Sequence, residues 1–256
     1  MNEPQDKVQD SGRRGFIGAA AAAGAGLGVA ALAPGLHLIE VAGATSATAR
    51  AAGEPAPSTV RWGMLIDTAK CASGCDACVQ ACNTENGIVE TVKDARQGSQ
   101  WIRKIDLKDP KNGRTHSLPM MCQHCENPPC VDVCPTGASM KRADGIVLVD
   151  RHICIGCRYC MMACPYKARS FVHQPLDTQN PEVPRGIGCV ESCTFCVQRV
   201  DKGMQPACVE ACPEGAMLFG DLNDPNSGIA QRIAREATTQ VRADLKLNVG
   251  VRYQGI

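Results

Sequence analysis

The hydrophobic pattern of the chain opens on an uncharged, Ala/Gly-rich run that reaches Gly35. Downstream, "SQWIRKIDLKDPKNGRTHSLPMM" has a strand-like stretch on either side of Lys111-Asn112-Gly113-Arg114, which predicts a β-hairpin. Short apolar segments flank Asp144–Gly145 in the same way, the signal of a second hairpin. Asp224–Ser227 reads as a turn and helix cap, and Ile229, Ile233, Ala237, Val241 and Leu245 then recur at helical spacing. A C-terminal amphipathic helix packed over the core is the expected result.

Composition changes the picture of what holds these elements together. Only 4% of the residues are aromatic, while 25 glycines and 16 prolines mark a loop-rich chain. Seventeen cysteines are the outlying number. Sulfur, rather than apolar burial, is the expected organiser. The formal net charge of +1 counts every cysteine as neutral, and thiolates on metal would make the assembled protein acidic. No basic stripe with interleaved aromatics is present, so no nucleic-acid partner is expected.

Charge also marks the N-terminus. "SGRRGFIG" combines Ser11, Arg13–Arg14 and Phe16 ahead of the apolar run, the pattern of a twin-arginine export signal. Small-residue cleavage sites fall at Ala42–Ala44 and Ala47–Ala49. The second is preferred, giving a cleaved signal over 1–49 and a periplasmic mature chain. A retained transmembrane helix is the competing reading. The glycines and alanines make it weakly hydrophobic, and Pro34 interrupts it. Export of a folded chain, its thiolates already on metal, would also avoid disulfide scrambling in an oxidising compartment.

Sixteen cysteines fall into four groups: Cys71, Cys75, Cys78, Cys82; Cys122, Cys125, Cys130, Cys134; Cys154, Cys157, Cys160, Cys164; and Cys193, Cys196, Cys208, Cys212. The third is C-x2-C-x2-C-x3-C-P, a run that binds [4Fe–4S] clusters, with the fourth cysteine ligating the neighbouring cluster. Zinc ribbons use two C-x2-C pairs per metal and would waste the triplets. The odd total disfavours a disulfide framework, and no C-x-x-C pair is followed by the His of a haem attachment site.

The Cys134–Cys154 spacing fits one two-cluster unit, so the second and third groups pair. Cys164 then completes the site of Cys122, Cys125 and Cys130, and Cys134 that of Cys154, Cys157 and Cys160. The outer groups pair in turn. Cys212 joins Cys71, Cys75 and Cys78, and Cys82 joins Cys193, Cys196 and Cys208. The expected fold is α+β: two nested bacterial-ferredoxin-like units, a hairpin insertion and a C-terminal helix. The boundaries are 60–82 with 186–222 for the outer unit, 83–121 for the insertion, 122–185 for the inner unit and 223–256 for the helix and tail. Two irregularities mark the first group: an extra residue between Cys71 and Cys75, and Asn83 where the other groups have Pro. Cys82 is expected to leave its group along a different path.

The single residues take plain roles. His124 reads as a solvated loop position, with cluster tuning by hydrogen bonding as the alternative. Trp101 reads as hairpin packing rather than an electron relay. Cys189 reads as a spare buried thiol, or else a substitute for Cys193. No nucleophile–base pair, Gly-rich nucleotide loop or open metal position occurs, and all sixteen expected ligands are cysteine. An electron-transfer subunit that is not itself an enzyme is the expected class.

"HCENPPCVDVCPTGA", "CIGCRYCMMACPYKAR" and "CTFCVQRVDKGMQPACVEACPEGA" followed by "FGDLNDP" resemble the four-cluster ferredoxin-like electron-transfer subunits of molybdopterin oxidoreductases and related membrane complexes. The resemblance runs from about Arg61 to Pro225. It implies four [4Fe–4S] clusters and a place beside a multi-spanning, quinone-interacting membrane subunit, with the inner unit on the membrane side. The twin-arginine signal and the Cys71-x3-Cys75 step look most like the branch serving the sulfite-reduction-associated Dsr complex. That implies a multihaem cytochrome and other iron–sulfur or molybdopterin subunits as further partners. The alternative is the beta subunit of a periplasmic molybdopterin oxidoreductase linked to polysulfide, thiosulfate, tetrathionate or nitrite.

Overall fold

The computed structural model describes residues 49–256 apart from 52, 89–91, 93, 112, 177 and 178. The export signal expected over 1–49 therefore falls outside the described residues, save its last position. No helix among the described residues is long and apolar enough to cross a membrane.

The sheet strands are β1 (Trp62–Asp67), β8 (Met217–Asp221), β9 (Thr238–Thr239) and β10 (Val251–Gln254), arranged β8-β1-β10-β9. Met64, Leu65 and Ile66 are all buried, so β1 is covered on both faces and reads as a continuous apolar run rather than an alternation. It pairs antiparallel with β8, from Trp62 opposite Asp221 to Ile66 opposite Met217. On its other side it pairs parallel with β10, from Met64 opposite Val251 to Asp67 opposite Gln254.

Three two-stranded ladders complete the β structure of the described residues. β2 (Ile102–Lys108) and β3 (Thr115–Met121) form the hairpin expected around Lys111–Arg114, in register from Ile102 opposite Met121 to Lys108 opposite Thr115. Its turn is closed by Asp109, whose carbonyl accepts from Gly113 N–H at 2.9 Å and whose carboxylate accepts from Lys111 N–H at 2.8 Å. β4 (Ser139–Lys141) and β5 (Val147–Val149) flank Asp144–Gly145 as expected. β6 (Ser170–Phe171) pairs with β7 (Val190–Glu191).

The helices are short: α1 (Ala77–Glu85), α2 (Pro129–Asp132), α3 (Tyr159–Ala163), α4 (Val197–Val200), α5 (Ala207–Glu210) and α6 (Gly228–Arg235). α1 packs on α5, and α2 packs on α3. Eleven of the seventeen cysteines are buried, so sulfur fills the interior that aromatics fill elsewhere.

The C-terminal expectation needs correction. The helix begins where Ser227 caps it, its Oγ accepting from Ala230 N–H at 3.2 Å, but it ends at Arg235 instead of continuing to Leu245. The β-branched pair Thr238–Thr239 follows as β9, and the chain returns as β10 with Val251 and Tyr253 fully buried. Of the five periodic residues only Ile229 and Ile233 are helical, because the chain beyond Arg235 pairs as β9 on β10, with Thr239 opposite Tyr253.

Candidate functional site

Each cysteine group is a loop that runs into a first helical turn. α1 carries Cys78 and Cys82, α2 carries Cys130, α3 carries Cys160 and α5 carries Cys208. Pro129 opens α2, and Pro206 caps α5 at its start; proline there has no N–H to leave unsatisfied. Gly156, between Cys154 and Cys157, has φ +70°, and a Cβ on it would stand 2.3 Å from the Gly188 carbonyl oxygen. Only glycine fits that loop against its neighbour.

The folded chain gathers the thiols into four quartets. Cys71, Cys75 and Cys78 line one cavity with Cys212. Cys122, Cys125 and Cys130 line another with Cys164. Cys154, Cys157 and Cys160 line a third with Cys134. Cys82 faces Cys193 and Cys196, and both Cys82 and Cys196 face Cys208. By their place in space these are the first (with Cys71), second (with Cys193), third (with Cys122) and fourth (with Cys154) quartets. Among the described residues, no group of three or more His, Cys, Asp or Glu converges as a single metal ion requires.

The quartets neighbour one another in that order. Cys78 of the first lies close enough to Cys208 of the second to repel it as a thiolate. The second and third meet through their C-x2-C loops, where Phe195 and His124 stack with ring centroids 3.6 Å apart. Cys160 of the fourth lies close enough to Cys130 of the third to act on it. All cysteines of the second and third quartets are buried, whereas the first and fourth include partly exposed thiols, and Cys157 is exposed. The two ends of the series are thus accessible and its middle is shielded.

Burial dominates the acid–base character of these thiols. It pushes Cys78 up to about 11 and Cys122 and Cys125 up to about 12, and drives Cys193 and Cys208 well above their ordinary value. At Cys134 burial acts the same way, but hydrogen bonds from Ser139 and Thr136 outweigh it and hold the thiol below its ordinary value. Bare thiolates would be costly here, so an ionised quartet requires a cationic core.

Donors are aimed at the sulfurs. In three groups the cysteine before proline accepts from a backbone amide as the chain turns back: Ser139 N–H to Cys134 Sγ at 3.3 Å, Ala168 N–H to Cys164 Sγ at 3.5 Å and Ala216 N–H to Cys212 Sγ at 3.2 Å. With Asn83 in place of proline, α1 runs on to Glu85, and the donor to Cys82 is a side chain, Asn86 Nδ2 at 3.5 Å. From the hairpin, Lys104 Nζ donates to Cys71 Sγ at 2.8 Å. Sequence spacing located none of these three side-chain donors; Arg169, in "CPYKAR", is the third, donating to Cys130 Sγ at 3.1 Å. The missing proline at 83 was the available signal for Asn86.

One single-residue expectation changes. His124 is not solvated: it is 2% exposed, and its Nδ1 accepts from Val147 N–H at 3.0 Å. Burial, reinforced by Arg169, holds its imidazole down at about 3 and therefore neutral. Cys189 is buried, as expected of a spare thiol, beside Cys154 of the fourth quartet, with its thiol donating to the Arg151 carbonyl at 3.3 Å. Trp101 is buried at the base of the hairpin.

An all-sulfur donor set around a cavity, with N–H donors aimed at the sulfurs, fits an iron–sulfur cluster. The family described as the 4Fe–4S dicluster domain matches residues 114–222. The chain is 42% identical to the Hdr-like menaquinol oxidoreductase iron–sulfur subunit 1 of Archaeoglobus fulgidus over 223 residues, covering 75% of this chain and 82% of that one. It is 39% identical to the B component of tetrathionate reductase of Salmonella typhimurium over 206 residues, 77% of this chain and 73% of the other. It is also 39% identical to protein NrfC of Escherichia coli over 188 residues, 73% and 77% of the two chains. With its thiol quartets and these relatives, the chain belongs to the family of 4Fe–4S electron-transfer subunits of oxidoreductase complexes.

Proposed function

We propose that the chain holds four [4Fe–4S] clusters, one in each quartet, and conducts single electrons between partner subunits without catalysing a reaction of its own. A bound cluster supplies one-electron chemistry through iron valence. The chain's residues supply the rest. Sixteen cysteines fix the positions, the buried middle quartets exclude water, and Asn86, Lys104 and Arg169 set local charge and hydrogen bonding. The observation that carries the reading is the neighbouring series of quartets with accessible thiols only at its two ends.

The finer reading is a periplasmic subunit, exported by the twin-arginine route, of a quinone-linked membrane complex of the Dsr type. "SGRRGFIG" and the Cys71-x3-Cys75 step support it. The fourth quartet is rimmed by the exposed apolar residues Ile155, Tyr159, Met162 and Ile187, which suits docking of that end against a multi-spanning quinone-interacting subunit. A second reading, the beta subunit of a periplasmic molybdopterin oxidoreductase, draws on the similarity to the tetrathionate reductase component.

Iron and acid-labile sulfide analysis of anaerobically purified chain tests the cluster count. About sixteen irons with matching sulfide are expected from four cubanes; zinc without sulfide overturns the reading. Affinity purification from native membranes separates the two complexes. A multi-spanning subunit with a multihaem cytochrome supports the Dsr type, and a large molybdopterin subunit in its place supports the alternative.

A further inference from the structure

Arg169 is a buried guanidinium, 6% exposed, that makes no ion pair with a carboxylate among the described residues. Its Nη2 donates to Cys130 Sγ of the third quartet at 3.1 Å and to Ser139 Oγ at 2.8 Å. Cys160 of the fourth quartet also lies within reach of its positive charge. Ser139 extends the link, because its N–H donates to Cys134 Sγ, also of the fourth quartet, at 3.3 Å. One cation therefore bonds a sulfur of the third quartet directly and reaches the fourth through Ser139 and through its charge.

The other side of Arg169 offers no compensating charge. There it lines a cavity of about 180 Å³ together with Arg103, Lys167 and His173, and no acidic residue contributes to that lining. Its Nε and Nη1 have no protein partner. A buried cation with no carboxylate draws its stabilisation from whatever negative charge lies nearest, and here that is thiolate sulfur.

We infer that Arg169 is a positioning residue for electron transfer, a single fixed charge that raises the reduction potentials of the third and fourth quartets' clusters together. The inference rests on the reading that these quartets hold clusters. Each electron added to either site adds one negative charge beside the guanidinium, so the cation favours the reduced form of both. Because one group serves two sites, their potentials are set in common, apart from those of the first and second quartets.

The test is a redox titration of the anaerobically prepared full chain, followed by electron paramagnetic resonance, in wild type, Arg169→Met, Arg169→Lys and Ser139→Ala. In Arg169→Met two of the four reduction steps should move to more negative potential, while the other two stay in place and the iron content is unchanged. Arg169→Lys, which keeps the charge, should move the same two steps less. Full iron with no step moved, or only one moved, overturns the inference. If Arg169→Met fails to retain iron, Ser139→Ala decides. Loss of the hydroxyl that holds the guanidinium should shift the same two steps, and an unshifted pair overturns the inference. Wild-type protein lacking iron and sulfide would overturn the cluster reading itself, before any variant is compared.

Discussion

Asn86 Nδ2 bonds both the carbonyl oxygen and the sulfur of Cys82, at 2.9 and 3.5 Å. This side chain, 1% exposed, does for Cys82 what a returning backbone amide does for Cys134, Cys164 and Cys212. Continuation of the helix past Cys82 makes the substitution necessary, since the Asn86 amide is itself engaged with the Cys82 carbonyl at 3.1 Å. Asn86→Leu should leave iron content near that of wild type and move one reduction step, that of the second quartet, to more negative potential. An unchanged titration curve would show that the amide is only a helix-end contact.

Lys104 connects the hairpin to the first quartet through Cys71. The insertion is therefore more than decoration: it brings a cation to a partly exposed sulfur that lies nearer to solvent than the middle quartets. Lys104→Met should lower the potential of the first quartet's cluster alone, and Lys104→Arg should restore most of it. Raising the ionic strength should weaken the difference between wild type and Lys104→Met, because an accessible pair is screened.

Arg185 and Glu191 form a two-pronged buried pair at 2.6 and 3.0 Å, and Arg185 Nη1 also donates to the Gly87 carbonyl at 3.1 Å. Their side chains are 4% and 1% exposed. Arg185→Met strands the Glu191 carboxylate and should cost about 3–5 kcal/mol. The double variant Arg185→Met/Glu191→Leu should regain much of that loss. The temperature at which visible absorption bleaches is the measurement, and a single variant as stable as wild type would contradict the argument.

Ser227 is fully buried; its Oγ accepts from Ala230 N–H and donates to the Asp221 carbonyl at 2.5 Å. Ser227→Ala removes the cap of α6 and should destabilise the fold by about 1 kcal/mol. Ser227→Asp should not rescue it fully, since a carboxylate cannot donate to Asp221. Comparison of the three melting curves tests both statements.

Much of the site was legible because ligand spacing is a local property. Four cysteine groups and two hairpin turns are short-range signals, written within stretches that touch themselves in the fold. What escaped was set by contacts distant in sequence. His124 reads as a loop residue until Phe195 arrives to stack on it and Val147 supplies its hydrogen bond. Cys189 is the spare buried thiol its position suggests, but its place beside Cys154 comes from a contact distant in sequence. The apolar spacing of Ile229 to Leu245 is a genuine helical pattern, but only α6 uses it. The parallel partner of β1 lies further along at Val251–Gln254, and no local rule reveals that pairing.

The position of β1 between β8 and β10 also fixes an order of events during synthesis. Cys122 to Cys164 emerge close together, so the third and fourth quartets can close while the chain is still growing. The first and second quartets cannot, since Cys71 waits for Cys212 and Cys82 waits for Cys193 and Cys208. β1 itself stays half-paired until Val251–Gln254 has been made. The inner pair of quartets can therefore gather before the outer pair, and a chain truncated before Val251 would leave β1 without its parallel partner.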